Sequence, residues 1–139
     1  KAEGQPWRIG IRDPAAPGIQ ENWVEALPLL DRALCTSGDY EDFLVSGGRT
    51  WHHVFDPRTG RNPEREVVSV TVLARSCALA DGLGTALMVL GPGPAAEVMS
   101  RWPGEDLGAS FLLPDGQGLR TEKVGWPEGF AEDGTPLRR

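Results

Sequence analysis

The sequence has little of several features that mark large classes of protein. It contains only two cysteines, Cys35 and Cys77, which allow at most one disulfide. We expect both to be small buried hydrophobic residues, and their spacing leaves a bridge between them open. No apolar run approaches the roughly 18 residues of a membrane-spanning helix, and no segment resembles a signal peptide. Because the first residue is Lys1 rather than methionine, we expect the chain to begin inside a longer protein.

Positive charge is also scarce. The chain carries 14 lysines and arginines against 20 aspartates and glutamates, a formal net charge of −6. This balance argues against nucleic acid as a partner, because a nucleic-acid-binding domain presents a clustered basic surface, and it fits poorly with an anionic membrane. If the ligand contains phosphate, a metal ion or a helix N-terminus must supply the positive charge locally.

Glycine and proline, by contrast, are abundant, with 18 and 12 among 139 residues. So many helix-disfavouring residues argue against a helical bundle and suit strands joined by tight turns. The length predicts one domain that is large enough to bury a core. Strand patterns come first, helix patterns follow and strand patterns return. We therefore predict an α+β fold with a mainly antiparallel sheet.

The individual elements follow from periodicity and turn residues. Pro28 excludes a helix over 24–34, and Gly47 with Gly48 predicts a tight hairpin turn. A principal helix is predicted over about 76–90 and a shorter one over about 95–102. The predicted strands are 6–12, short pieces within 24–34, 40–45, 50–55, 67–73, 110–113 and 119–121.

The principal helix carries an unusual group of residues. Asp81 and Thr85 lie four residues apart and therefore share one face. Gly82 and Gly84 each cost about 1 kcal/mol relative to alanine in a helix interior. One carboxylate and one hydroxyl suit a hard cation such as Mg²⁺. The alternative is that Asp81 is simply exposed to solvent and that the glycines allow two elements to pack closely.

The only two histidines, His52 and His53, stand together at the end of a predicted strand. Neighbouring strand residues point to opposite faces, so at most one of them faces a given pocket. A histidine close to a phosphate site suits general-base catalysis because its pKa lies near neutrality. The alternative is a structural or surface histidine.

A third cluster is predicted as a polar turn and consists of Ser37, Gly38 and Asp39. Such a turn can present a hydroxyl, a backbone N–H and a carboxylate together, as a ribose or phosphate cradle does. An ordinary Asx-type turn is the alternative.

The order and spacing of the three clusters resemble one known family. TSGDY from Thr36, HVFDPRTG from His53 and VTVLARSCALADGLGTALMVLG from Val70 are similar to motifs of the ApbE-like family. These proteins are the FAD:protein FMN transferases, also known as thiamine-biosynthesis lipoproteins. The resemblance runs from about Pro6 to Leu119.

The resemblance implies roles for particular residues. The aspartate and threonine of the family's helix motif bind the metal, usually Mg²⁺, and correspond to Asp81 and Thr85. The histidine of the H-x-x-D-P motif lies beside the flavin diphosphate and is the favoured catalytic base; it corresponds to His53. The S-G-D-Y motif lies near the flavin nucleotide, so Ser37–Asp39 are expected contacts of the cofactor.

The resemblance also implies a reaction. With FAD as substrate and Mg²⁺ as cofactor, FMN is transferred to a Ser or Thr hydroxyl of an acceptor protein. The family suggests subunits of respiratory redox pumps as acceptors, and an extracytoplasmic or periplasmic, lipid-anchored location in the cell envelope. Two alternatives use the same site: an FAD pyrophosphatase that releases FMN and AMP, and a flavin-binding module without catalysis.

Two departures from the family pattern bear on these expectations. The family more often has alanine where this chain has Gly82 and Gly84, which loosens the helix and weakens the expected metal affinity. Its proteins are also longer. Residues 1–127 correspond to the C-terminal part of the family's domain, whose N-terminal half is missing, and 128–139 are expected to be a mobile tail with little to bury. We therefore expect the 139 residues alone to be inactive and to expose apolar surface.

Overall fold

The computed structural model describes residues 5–16, 22–40, 43–63, 67–130 and 136–137. All strand pairs in these ranges are antiparallel, and two helices lie among them, so the predicted α+β class is confirmed. In chain order the elements are β1 (Trp7–Arg12), β2 (Trp23–Leu29), β3 (Ala33–Gly38), β4 (Phe43–Ser46), β5 (Arg49–His52), β6 (Ser69–Ala74), α1 (Cys77–Leu90), α2 (Ala95–Met99), β7 (Gly108–Asp115), β8 (Gly118–Val124), β9 (Gly129–Phe130) and β10 (Pro136–Leu137).

The centre of the fold is a four-stranded sheet in the order β3-β6-β7-β8. Strand β6 is buried along its whole length, as its run of β-branched residues favours. Its alternate side chains enter two separate hydrophobic clusters. Val70 and Val72 pack with the buried face of α1, whereas Leu73 packs with the β1–β2 pair. The sheet is therefore covered by a helix on one face and by two strands on the other.

Helix α1 begins and ends almost where the sequence predicts. The Ser76 hydroxyl accepts the N–H of Leu79 at 3.4 Å, which is a typical N-cap contact. Gly91 ends the helix with a φ of 73°, and its N–H donates to the Leu87 carbonyl at 2.9 Å. The residues that α1 buries against the sheet are Ala80, Leu83, Gly84, Leu87 and Met88.

The second helix is shorter than predicted, because it ends at Met99 rather than at residue 102. Trp102 precedes Pro103, and a proline disfavours helical conformation in the residue before it. Gly104 then takes a φ of 88°, which belongs to a turn. The proline, rather than the apolar pattern, limits this helix.

The polar cluster at Ser37 and Gly38 is a strand and not the predicted turn. These residues end β3 and pair with Val70 and Ser69 of β6. Their composition favours a turn locally, but the hydrogen-bonding partner comes from a distant part of the chain. The prediction is wrong because tertiary pairing overrides local preference.

The two cysteines are also placed differently from the prediction of small buried residues. Cys77 is exposed and Cys35 is half-buried, and both are free thiols. Cys77 is the first residue of α1 and lies outside its buried face.

Apolar surface is exposed, as expected. The predicted hairpin is confirmed as β4–β5, with Gly47 and Gly48 at φ values of 60° and 71°. All of β4 is exposed, including the side chains of Phe43, Leu44 and Val45. None of the helices in the described ranges is long and apolar enough to cross a membrane.

The described part of the last segment contacts the rest of the fold. Strand β9 pairs with β10, and the partly buried Phe130 packs against the cluster that contains Leu73. Residues 131–135 and 138–139 lie outside the described residues, and the mobility of 128–139 stays a prediction.

The two glycines within α1 have different surroundings. A Cβ atom on Gly84 would lie 2.8 Å from the Oγ of Ser37, so the absence of a side chain lets the helix approach β3 closely. At Gly82 no described atom outside its chain neighbours and the surrounding helix backbone lies within 4 Å of the corresponding position. The alternative interpretation, in which the glycines let two elements pack closely, therefore agrees with the surroundings of Gly84 but finds no described neighbour at Gly82.

Replacing Gly82 with alanine is expected to raise the free energy of unfolding by about 0.5 to 1 kcal/mol, because the helix gains propensity and nothing clashes. Gly84→Ala is the matched control. It gains the same propensity but forces the Ser37 hydroxyl to rotate away, so its net stabilisation is smaller. Urea unfolding of the two variants measures the difference, and a larger gain at Gly84 would contradict this account.

Candidate functional site

One polar cavity of about 260 Å³ lies between β3, α1 and the segment that follows β5. All three clusters singled out in the sequence contribute to its lining, together with Thr36 and Tyr40. The cavity thus combines hydroxyl groups, one imidazole and one carboxylate that are far apart in the chain. The lining residues are Thr36, Ser37, Gly38, Tyr40, His53, Asp81 and Thr85.

Asp81 and Thr85 reach this cavity from the exposed side of α1, one helical turn apart. The Thr85 hydroxyl donates to the main-chain carbonyl of Asp81 at 3.4 Å. Because that bond uses the proton of the hydroxyl, its oxygen lone pairs stay available as acceptors. The pair therefore offers two kinds of hard oxygen donor on one face of a helix.

This donor set fits a magnesium ion that takes most of its ligands from water and phosphate. Among the lining residues that the structure describes, Asp81 is the only carboxylate and none is a lysine or arginine. Within the described ranges no three His, Cys, Asp or Glu side chains gather into one group. Mg²⁺ characteristically uses only one or two protein carboxylates. A phosphate in this cavity would need the positive charge that such an ion carries.

The two histidines have different environments, although His53 lies just beyond β5, which ends at His52 rather than at the predicted residue 55. His53 is exposed and lines the cavity. His52 is buried, and its Nδ1 accepts the N–H of Val54 at 3.3 Å. Of the two, His53 alone is in a position to meet a ligand of this cavity.

Asn62 holds the histidine segment in place and was missed by the sequence reasoning. Its buried side-chain amide donates to the carbonyls of His52 at 2.8 Å and Val54 at 2.6 Å, and its Oδ1 accepts the N–H of His52 at 3.2 Å. These contacts fix the main chain on both sides of His53. The only sequence signal was an asparagine before Pro63 at the end of a turn-rich stretch.

The turn between His53 and Asn62 is closed by Asp56. Its N–H donates to the Arg61 carbonyl, and its carbonyl accepts the N–H of Gly60, both at 2.8 Å. The Arg58 guanidinium donates to the Asp56 carboxylate at 2.8 and 2.9 Å. Hydrogen bonds from Arg58 hold the pKa of Asp56 below its ordinary value. Arg58 is thus engaged within its own turn.

Asp39 is the one predicted site residue that the structure does not bring to the cavity. Its side chain is 2% exposed, and its N–H donates to the Val68 carbonyl at 3.1 Å. The next residue, Tyr40, lines the cavity instead, and its ring covers Gly38 so closely that a Cβ there would lie within 2.5 Å of it. Tyr40 belongs to the TSGDY motif, but the motif alone assigned it no role.

Comparison with known proteins agrees with the motifs. The model of the ApbE family matches residues 1–108. The chain belongs to the ApbE family. It is 40% identical over 121 residues to the FAD:protein FMN transferase of Salmonella typhimurium and 46% identical over 89 residues to that of Vibrio cholerae. The solved structure of the ApbE protein of Thermotoga maritima superposes with a TM-score of 0.69 at 33% identity.

These similarities cover most of this chain but a minor part of the relatives. The segment matched to the Salmonella protein makes up 86% of this chain and 33% of that protein. The segment matched to the Vibrio protein makes up 64% of this chain and 26% of that protein. The Thermotoga structure is covered over 36% of its length and this chain over 86%. The chain therefore spans about a third of the length of these ApbE relatives.

Asn62→Ala is expected to lower the free energy of unfolding by about 2 to 3 kcal/mol, because buried main-chain groups at His52 and Val54 lose their partner. Urea unfolding measures this effect. Asn22→Ala, at an exposed asparagine, is the matched control and is expected to be nearly neutral. Equal stability of the two variants would show that Asn62 does not hold the segment.

Proposed function

We propose that the full-length protein transfers FMN from FAD to a Ser or Thr hydroxyl of an acceptor protein, with Mg²⁺ as cofactor. The observation that carries the proposal is the single cavity that unites His53, Asp81 and Thr85 with Ser37 and Gly38. These are the residues for which the ApbE resemblance implies chemistry. Relatives of the same family are named FAD:protein FMN transferases, which supports the class of reaction.

In this proposal Asp81 and Thr85 hold the ion on the exposed face of α1. When bound, Mg²⁺ neutralises the charge that develops on the pyrophosphate as its anhydride bond breaks. The acidic composition of the chain and the absence of lysine and arginine from the described lining support a role for a cation.

His53 acts as the general base. Its imidazole removes the proton from the acceptor hydroxyl, whose oxygen then forms a bond to the FMN phosphorus. The anhydride bond to the second phosphate breaks, and AMP leaves with the bonding electrons. The buried contacts of Asn62 on either side of His53 keep the main chain that carries this imidazole in position.

Ser37 and Gly38 are proposed contacts of the flavin nucleotide. Asp39 is buried and does not line the cavity. In this proposal it does not contact the nucleotide and affects the site only through the shape of the chain at the end of β3. The cavity of about 260 Å³ is below the range of roughly 300 to 1,000 Å³ that ligand sites of this kind occupy. We therefore propose that further segments of the full-length protein complete the site and that the 139 residues alone are inactive.

Incubation of the full-length protein with FAD, Mg²⁺ and a candidate acceptor tests the proposal. The family resemblance guides the choice of acceptor, because it suggests redox-pump subunits and an extracytoplasmic, lipid-anchored location. Covalent flavin fluorescence on the acceptor, with a matching gain in its mass, supports transfer. Release of free FMN without an acceptor would instead identify a pyrophosphatase. Tight FAD binding with neither flavin transfer nor FMN release would identify a flavin-binding module.

Asp81→Ala is expected to lower the transfer rate by about 10²-fold or more at saturating Mg²⁺, because the only carboxylate of the lining is lost. Thr85→Ala is expected to be milder, since water can replace a neutral hydroxyl ligand. Asp115→Ala, at an exposed aspartate of the β7–β8 hairpin, is the matched control. Wild-type transfer by the Asp81→Ala protein would exclude this residue as a metal ligand.

His53→Ala is expected to lower the transfer rate by about 10²-fold, as for a lost general base, with an unchanged melting temperature because the side chain is exposed. His52→Ala is expected to show the reverse pattern, since it removes a buried acceptor of the Val54 N–H. Transfer assays and thermal melts of both variants separate the two roles. A similar loss of rate in both, at equal stability, would contradict the assignment of His53.

A further inference from the structure

The chain's only two cysteines lie side by side at one end of the contact between β3 and α1. The sulfur atoms of Cys35 and Cys77 are 3.7 Å apart although the residues are 42 positions apart in the chain. Cys35 lies two residues before Ser37 on β3, and Cys77 lies one turn before Asp81 on α1. Neither cysteine lines the polar cavity.

Both sulfurs are held by backbones that belong to well-formed elements. Cys35 pairs with Val72 in the central sheet, and Cys77 follows the N-cap Ser76 at the start of α1. A disulfide requires the sulfurs to approach from 3.7 Å to a bond length of about 2.0 Å. Cys77 is exposed, and closure requires its side chain to rotate toward Cys35.

We propose that Cys35 and Cys77 are a redox-active pair that closes into a disulfide and fastens β3 to the first turn of α1. The proposal concerns the thiols alone and does not rest on the proposed flavin transfer. It assigns a covalent modification to two residues that the proposed reaction does not use. The oxidant is a small disulfide or the disulfide of a thiol–disulfide exchange protein.

The order of the two exchange steps follows from exposure. Cys77 is exposed, whereas burial and the neighbouring Cys77 thiol raise the pKa of Cys35 to about 11. The Cys77 thiolate attacks the external disulfide, and one thiolate leaves. Cys35 then loses its proton and attacks the Cys77 sulfur, and the second thiolate leaves. Two protein thiols and one external disulfide thus become one protein disulfide and two external thiols.

Closure is expected to stabilise the fold. The bridge would join residues 42 positions apart, and a loop of this length restricts the unfolded chain considerably. We expect the melting temperature of the oxidised protein to exceed that of the reduced protein by roughly 5 to 10 °C. Because the cavity residues are not part of the bridge, they remain where they are.

The experiment uses the full-length protein. One sample is incubated with glutathione disulfide and another with a reductant. Free thiols are then blocked with N-ethylmaleimide, and the protein is digested with trypsin without further reduction. Cleavage after arginine places Cys35 in peptide 33–49 and Cys77 in peptide 76–101. Mass spectrometry then distinguishes linked peptides from separately alkylated ones. We expect linked peptides in the oxidised sample, their loss on reduction, and the rise in melting temperature only where they are linked.

Two variants provide the controls. Cys77→Ser is expected to abolish the linkage and the rise in melting temperature. The double variant C77S/A78C keeps two thiols but moves one to the neighbouring helix position, about 100° around the helix axis, and is expected to link far less. Three outcomes would overturn the proposal: alkylation of both cysteines after oxidation, a stable glutathione adduct on Cys77, or equal linkage in the C77S/A78C variant. Linkage without a rise in melting temperature would overturn the fastening role.

Discussion

Helix α1 lies so close to β3 that a Cβ on Gly84 would come within 2.8 Å of the Ser37 hydroxyl, and the geometry of the site follows from this contact. The helix is held there by its buried face, which packs on β6. The opposite side of β6 is covered by the β1–β2 pair, so the sheet cannot move away from the helix without exposing a core. Asp81 and Thr85 therefore keep a defined position relative to Ser37.

The third wall of the cavity is held by polar contacts as well as by packing, because the buried Val54 beside His53 belongs to the same hydrophobic cluster as the buried face of α1. His53 follows β5, and its own side chain is exposed. Its main chain is nevertheless fixed, because the buried Asn62 amide bonds to the residues on both sides. A buried amide with several partners is costly to disrupt, so these hydrogen bonds add order to a segment that the hydrophobic core also anchors through Val54.

Electrostatics and size together indicate what the cavity can bind. Its described lining carries one carboxylate, one imidazole and no lysine or arginine, so an anionic phosphate would need a cation beside it. Its volume suits part of a dinucleotide rather than the whole. Both features agree with a chain that spans about a third of the length of its ApbE relatives. The paired cysteines lie at the edge of this arrangement, on the same two elements that build it.

Several features were determined by the sequence itself. The limits of α1 follow from Ser76 and Gly91, because caps act within a few residues, and the buried strand β6 follows from a run of β-branched residues. The i, i+4 spacing of Asp81 and Thr85 places them on one helix face whatever surrounds them. The motifs by themselves also indicate the ApbE family.

Tertiary structure alone decided the rest. Ser37 and Gly38 became strand because β6 supplied their hydrogen bonds, and Asp39 was buried while Tyr40 reached the cavity. Asn62 gained its role, and Cys35 came to within 3.7 Å of Cys77, through contacts between residues that are distant in the chain. Local sequence encodes backbone preference within a few residues, whereas burial and long-range pairing depend on which elements meet. These contacts could therefore be known only once the elements had packed.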